Sequence, residues 1–450
     1  MNHTRRHLLQ GISASATIAS LSQIGINSAF AQSATDYKAL VCVFMFGGND
    51  GNNLVIPADS SYAAYSAVRT AASNVQIPQA ELLQFQPTGS TRTFGFHPAL
   101  KRLQPLMQSG KLGVLANVGP LNALMTKAQY QANTNRPYQL FSHSDQQAQW
   151  QNADSNDFSR IGWGGRLSDV TTPMNSGATM PVLTSIAGSV IWGQGNSTSM
   201  LTVPAAGTFG LSGMTGTDAV TTARRDALMA LLDEGRDHTL VDQSASGLKT
   251  AISLSASVNP VISSANTTVD GLFDTTNNGL AAQLQRVARL IAKRGDFGVK
   301  RQVFFVSIGG FDTHSNQLTT QQNLLTQVDS ALASFYDSTL ALGVANQVTT
   351  FTMSDFGRTF KPAAGGGSDH AWGNHHLMLG GAVKGGAMYG TFPTQALGGP
   401  DDLGEGRWLP TTSVDQYAAT LASWFGVNPA DLAKVVPNIT AFANKNLGFV

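Results

Sequence analysis

Four runs of strand length stand out along the chain: 38–46 (KALVCVFMF), 111–119 (KLGVLANVG), 301–308 (RQVFFVSI) and 348–353 (VTTFTM). The first three carry almost no polar alternation, the pattern of strands covered on both faces in a parallel sheet. Between them lie helical patterns at 98–109, 122–133, 142–150, 317–336 and 412–425, the last opened by Thr412 or Ser413 as a cap. The clearest is 280–293 (LAAQLQRVARLIAK), whose apolar residues recur at helical spacing. Strands alternating with helices predict an α/β fold built on a doubly wound, mostly parallel sheet. Residues 180–270 break the rhythm with short β-like pieces, a Ser/Thr/Gly-rich stretch at 194–217 and one helix at 218–234. That block reads as a lid or subdomain inserted into a sheet domain spanning 32–450.

Three of the strand-like runs lead into an acidic residue. GGNDG places Asp50 after the first, GGFDTH places Asp312 and His314 after the third, and SDFGRT places Asp355 and Arg358 after the fourth. Ligands of open α/β sheets collect at the carboxyl ends of strands, so these are expected functional positions. A glycine-rich loop follows the last, and Asp355, Asp369, His370, His375 and His376 fall within 22 positions. Carboxylates and imidazoles on a backbone free to turn tightly are the donors of an oxygen- and nitrogen-ligated metal centre. Local structure offers competing explanations. Asp50 sits in a Gly-Asn-Asp-Gly turn, Asp369 can cap a turn, and His375 with His376 can be a surface pair. Ser142, beside His143, can be a helix N-cap or a nucleophile. His97, in FHP, and Arg166, on a loop entering a helix, complete the candidates.

Composition narrows the function classes. The 450 residues are 42% hydrophobic and 12% charged with a net charge of +1, and no basic run follows the N-terminus, so a nucleic-acid partner is not expected. Cys42 is the one cysteine, inside an apolar run, where it reads as a buried small hydrophobe. Residues 1–31 read as an export signal: Arg5-Arg6, a mildly apolar segment, then Ala29-Phe30-Ala31 as cleavage site. Beyond it the sequence has no run of about 18 apolar residues suited to crossing a membrane.

The chain resembles the domain-of-unknown-function family 1501. The resemblance is carried by GGNDG (47–51), FHP (96–98), SHS (142–144), GGFDTH (309–314), SDFGRT (354–359), GGGSDHAWG (365–373), GGAVKGG (380–386) and VDQYAATLASWFG (414–426). It implies a twin-arginine-exported bacterial protein, periplasmic or secreted, of the alkaline phosphatase/sulfatase superfamily. The implied activity is a metal-dependent hydrolase or transferase acting on phosphate or sulfate esters, with Zn, Mg, Mn or Ca as the metal. By position, Asp50 becomes the first-strand ligand, Ser142 the nucleophile, Asp312 with His314 the Asp-plus-His element, Asp355 the later Asp and His370 the last His. Asp369 is a further expected ligand, and Arg166 or Arg358 is expected to hold the anionic oxygens. Implied partners are an anionic ester or glycan, the translocase and another exported protein; a non-catalytic envelope protein is the competing outcome. Two features depart from the superfamily pattern: Phe356 follows Asp355 where a His is usual, and Asp312-x-His314 is shorter than Asp-x-x-x-His.

Overall fold

The computed structural model describes residues 36–70, 73–156, 159–214, 216–234 and 239–450. The expected export signal, with Arg5 and Arg6, lies outside the described residues. A nine-stranded sheet forms the centre. Its strands are β1 (Lys38–Met45), β2 (Leu112–Gly119), β3 (Leu183–Ser185), β4 (Leu201–Thr202), β5 (Arg301–Ile308), β6 (Val348–Ser354), β7 (Asn374–Gly380), β8 (Met388–Gly390) and β9 (Thr412–Ser413). The order across the sheet is β8-β2-β7-β6-β1-β5-β3-β4, with β9 paired beside β2. β7 runs antiparallel to both its neighbours; the other pairs are parallel.

Helices cover both faces, which explains the uninterrupted apolar runs. Alternate residues of a strand point to opposite faces. Ala39, Val41 and Val43 of β1 therefore join one buried cluster, with the helices Gly279–Ala292 and Gln317–Ala341, while Leu40, Cys42 and Phe44 join the other, with Val414–Phe425. Of the two caps expected for Val414–Phe425, the serine serves: Ser413 and Gln416 form a reciprocal capping box. Cys42 is fully buried, and burial pushes its thiol well above its ordinary pKa.

Several sequence expectations shift. The inserted block does not stand apart from residue 180, because β3 pairs with β5 and β4 with β3, extending the main sheet. Within it, Thr239–Ser263 is a 25-residue helix that the sequence pattern did not reveal. Its many serines and threonines blur the apolar stripe, and Pro260 lies inside it. Conversely, the helix expected over 122–133 shrinks to Lys127–Gln131, and that expected over 98–109 to Leu103–Gln108. No helix among the described residues is long and apolar enough to cross a membrane.

Candidate metal centre

The carboxyl ends of β5, β1 and β6 lie side by side, with Met45 level with Ile308 on one side and Ser354 on the other. Asp312, Asp50 and Asp355 therefore leave the sheet at one edge. The chain must turn sharply there. Gly47 has φ 110°, and a Cβ on it would lie 2.4 Å from the Asp312 amide nitrogen. Glycine is the residue that accepts both constraints.

Above this edge, His143, Asp312 and His370 bring one donor atom each within 4.8 Å of one another. Asp312 Oδ1 lies 3.4 Å from His143 Nε2, 3.4 Å from His370 Nε2 and 3.1 Å from His314 Nε2. The Nε2 atoms of His314 and His370 are 2.9 Å apart. Each ring is held by its other nitrogen. His143 Nδ1 is 2.7 Å from Asp355 Oδ2, His314 Nδ1 is 3.0 Å from Asp369 Oδ1, and His370 Nδ1 is 2.8 Å from the Phe141 carbonyl. Carbonyl and ionised carboxylate oxygens only accept, so each Nδ1 is the donor, and each ring, where neutral, turns an Nε2 lone pair toward Asp312. Two lone pairs facing each other at this distance repel unless a proton or a cation lies among them. His143 Nε2 is buried without a hydrogen-bond partner.

The donor set fits a metal ion. A tetrahedral ion with metal–nitrogen bonds of about 2.0–2.1 Å sets its ligand atoms roughly 3.3 Å apart, close to the spacings above. Outer acceptors on the second ring nitrogen are the usual support of histidine ligands. The cluster is reachable from solvent, since the side chains of Asp312 and His314 are 47% and 46% exposed. Charge follows the same lines. The hydrogen bond to Asp355 raises the His143 pKa above its ordinary value, more than burial lowers it. Burial lowers that of His370. Burial acts to raise the Asp312 pKa, yet Arg358, His314 and His143 together hold it below the usual value.

Several expected ligands have other work. Asp50 is the N-cap of Gly51–Leu54 and is buried; its Oδ1 accepts from Asn52 N and Nδ2, each at 3.0 Å, and its Oδ2 from Gln317 Nε2 at 2.5 Å and from the guanidinium of Arg69. A cationic side chain thus stands beside the carboxylate that the resemblance assigned to a metal. Asp355 is buried with both oxygens engaged, accepting from Gly47 N at 3.1 Å and Gln147 Nε2 at 2.7 Å besides His143. It stands behind the His143 ring, and Asp369 stands behind that of His314 in the same way. The arginines are not free to clamp an anion. Arg358 is buried, donating to the carbonyls of Gly47, Gly48, Phe311 and Ser368 and to Asp312 Oδ1. Arg166 donates to the carbonyls of Asn152, Ile161 and Val435.

Ser142 holds the N-cap position of His143–Asn152, but its side chain makes no capping bond. Its Oγ donates instead to Asp145 Oδ2 at 2.5 Å. Phe356, next after Asp355, packs against the rings of both His143 and His370, with centroids 4.7 Å apart. His143, a secondary candidate in the sequence, is therefore central. A usable signal was present, because Gln147 lies four residues on and the same helix face carries both groups to Asp355.

His375 and His376 are neither a surface pair nor part of the cluster. Both are buried in β7: His375 Nδ1 accepts from Asn117 N at 3.0 Å, and His376 packs edge-on to Trp150. His97 is also buried, its Nδ1 accepting from Ala99 N at 3.1 Å. Burial lowers their pKa values to about 3, about 3 and about 4. An unfolded chain protonates these rings below its ordinary value near 6.5, which the folded chain resists, so their contribution to stability is complete above that pH and is lost as pH falls toward 4. Asp415, raised by burial to about 7, works in the opposite sense over the same range, as do His143 and Asp329 with smaller rises, but Asp415 alone of these is shifted as far as the three rings. The melting temperature should therefore fall between pH 7 and 4.5, and fall less in His376→Phe, which keeps an aromatic ring beside Trp150 and Tyr417.

Residues 37–434 match the model of a family described as "Protein of unknown function (DUF1501)". The chain belongs to that family. A search of curated proteins finds no match. Among solved structures, this DUF1501 chain is similar to Ps i-CgsB in complex with k-i-k-neocarrahexaose (8% identity, TM-score 0.36, covering 92% of this chain and 77% of that one). It is also similar to the lipoteichoic acid synthase LtaP from Listeria monocytogenes (9%, 0.36, 90% and 76%) and to the PsFucS1 sulfatase from Pseudoalteromonas sp. (10%, 0.35, 89% and 70%). The α/β class of the fold stands on the strand order itself.

Proposed function

We propose that the protein is an exported, metal-dependent hydrolase or transferase acting on phosphate or sulfate esters, with one ion at the His143–Asp312–His370 cluster. The observation that carries this reading is the convergence of three Nε2 atoms on a single carboxylate, each ring fixed from behind by Asp355, Asp369 or the Phe141 carbonyl. A donor set this rich in imidazole favours zinc over magnesium or calcium, which prefer oxygen ligands throughout. When bound, such an ion supplies Lewis acidity toward an ester oxygen. Ser142 is the proposed attacking hydroxyl: its Oγ would bond to phosphorus or sulfur as the bond to the ester's leaving oxygen breaks, with Asp145 Oδ2, 2.5 Å away, taking the hydroxyl proton, and water or an acceptor hydroxyl would then release the group from Ser142. The reading places the protein in the alkaline phosphatase/sulfatase superfamily, exported by the twin-arginine route.

One observation favours a second reading, a non-catalytic envelope protein that uses the cleft to bind a partner or glycan: Arg166 and Arg358 are both committed to backbone carbonyls. Elemental analysis of protein purified after export separates the two, combined with turnover of an aryl phosphate and an aryl sulfate. The first reading expects one equivalent of metal and hydrolysis of one of these esters, both lost in His370→Ala. Stoichiometric metal with no turnover of either ester supports the second.

A further inference from the structure

His370 is held at two points, and both lead to one side chain. Its backbone carbonyl accepts from Arg407 Nε at 3.0 Å. Its Nδ1 donates to the Phe141 carbonyl at 2.8 Å, and the Arg407 guanidinium lies over the Phe141 ring, 5.3 Å from its centroid. Phe141 is in the left-handed region, with φ 72°, a conformation that a bulky non-glycine residue adopts only when its surroundings hold it there. Its amide donates to Gln146 Oε1 at 2.6 Å, which fixes one side of the residue, and the cation over its ring fixes the other. The guanidinium is itself anchored by Glu405 Oε2 at 2.9 Å and the Gly404 carbonyl at 3.3 Å.

We infer that Arg407 is a positioning residue for the metal centre, which through the Phe141 ring and the His370 carbonyl keeps His370 in the tautomer that presents Nε2 to Asp312. The inference rests on the metal reading above but adds a residue that lies outside the cluster and touches none of its donor atoms. Removing the guanidinium frees Phe141 to relax from its left-handed conformation. The carbonyl then turns away from Nδ1, and the His370 ring is free to exchange protons and rotate.

The test compares wild type, Arg407→Met, Arg407→Lys and Phe141→Leu in two measurements. Nitrogen-15 NMR of histidine-labelled, metal-free protein, with His370 assigned through His370→Gln, reads the tautomer directly. Wild type should show Nδ1-protonated His370, and Arg407→Met and Phe141→Leu a mixture of tautomers. Arg407→Lys, which keeps a cation over the ring, should lie between. Zinc titration should then give a dissociation constant raised about 10–100-fold in Arg407→Met, the size usual for losing an outer partner of a histidine ligand. The melting temperature of the metal-free variant reports any general loss of structure. An unchanged tautomer and an unchanged zinc constant in Arg407→Met overturn the inference while leaving the metal reading intact. If wild type binds no zinc, the metal reading fails, and the NMR measurement still decides whether Arg407 sets the state of His370.

Discussion

Asp312→Ala should abolish metal binding, with zinc content falling from about one equivalent to background and no heat of binding in a titration. Asp312 is the carboxylate to which all three Nε2 atoms point, and its side chain is the acidic group of the cluster open to solvent. Without it the centre keeps three imidazoles and loses its one anionic donor, while Arg358 is left buried without the carboxylate that balances it. Asp355→Ala should act differently. It removes the acceptor behind His143 and leaves all the donor atoms in place, so zinc affinity should drop by about 10–100-fold and not vanish. Asp50→Ala, measured where the variant is folded, should leave the zinc constant unchanged. Equal losses from Asp312→Ala and Asp50→Ala would show that the ion sits deeper in the sheet edge than the cluster places it.

Arg69→Met should destabilise the fold by about 3–5 kcal/mol, the usual cost of leaving one member of a buried ion pair without its partner. Neither side chain of the Arg69–Asp50 pair is exposed to solvent. Arg69 also donates to the carbonyls of Thr359 and Phe360 at 3.2 and 3.1 Å, so it ties the loop after β6 to the loop after β1. The double change Asp50→Asn with Arg69→Met should cost less than Arg69→Met alone, because it removes the unpaired charge as well as the pair. Chemical denaturation of the three variants measures this. A rise in bound metal from one equivalent to two in Arg69→Met would instead reveal Asp50 as a ligand that the guanidinium displaces.

Much of the frame was legible from pattern alone. The runs at 38–46, 111–119, 301–308 and 348–353 are strands because they are continuous and covered on both faces, and 280–293 is a helix because its apolar spacing is unambiguous. The helix Thr239–Ser263 escaped because serine and threonine fill positions where an apolar stripe would show. The candidate centre was legible as residue types: Asp312, His314, Asp369 and His370 come from the two loops singled out for glycine, aspartate and histidine.

Local pattern and motif order were enough for the α/β class, the family, and the strand ends from which the candidate donors leave the sheet, because each depends on residues close together in the chain or on motifs in a set order. Which donors face a common point was decided only in three dimensions. Asp50 and Asp312 follow the same kind of strand and the same pair of glycines, and each meets a buried arginine, Arg69 or Arg358, yet three histidines surround only Asp312. Paired charges, tautomers and the direction of a lone pair depend on neighbours far away in sequence, and short-range pattern holds no record of them.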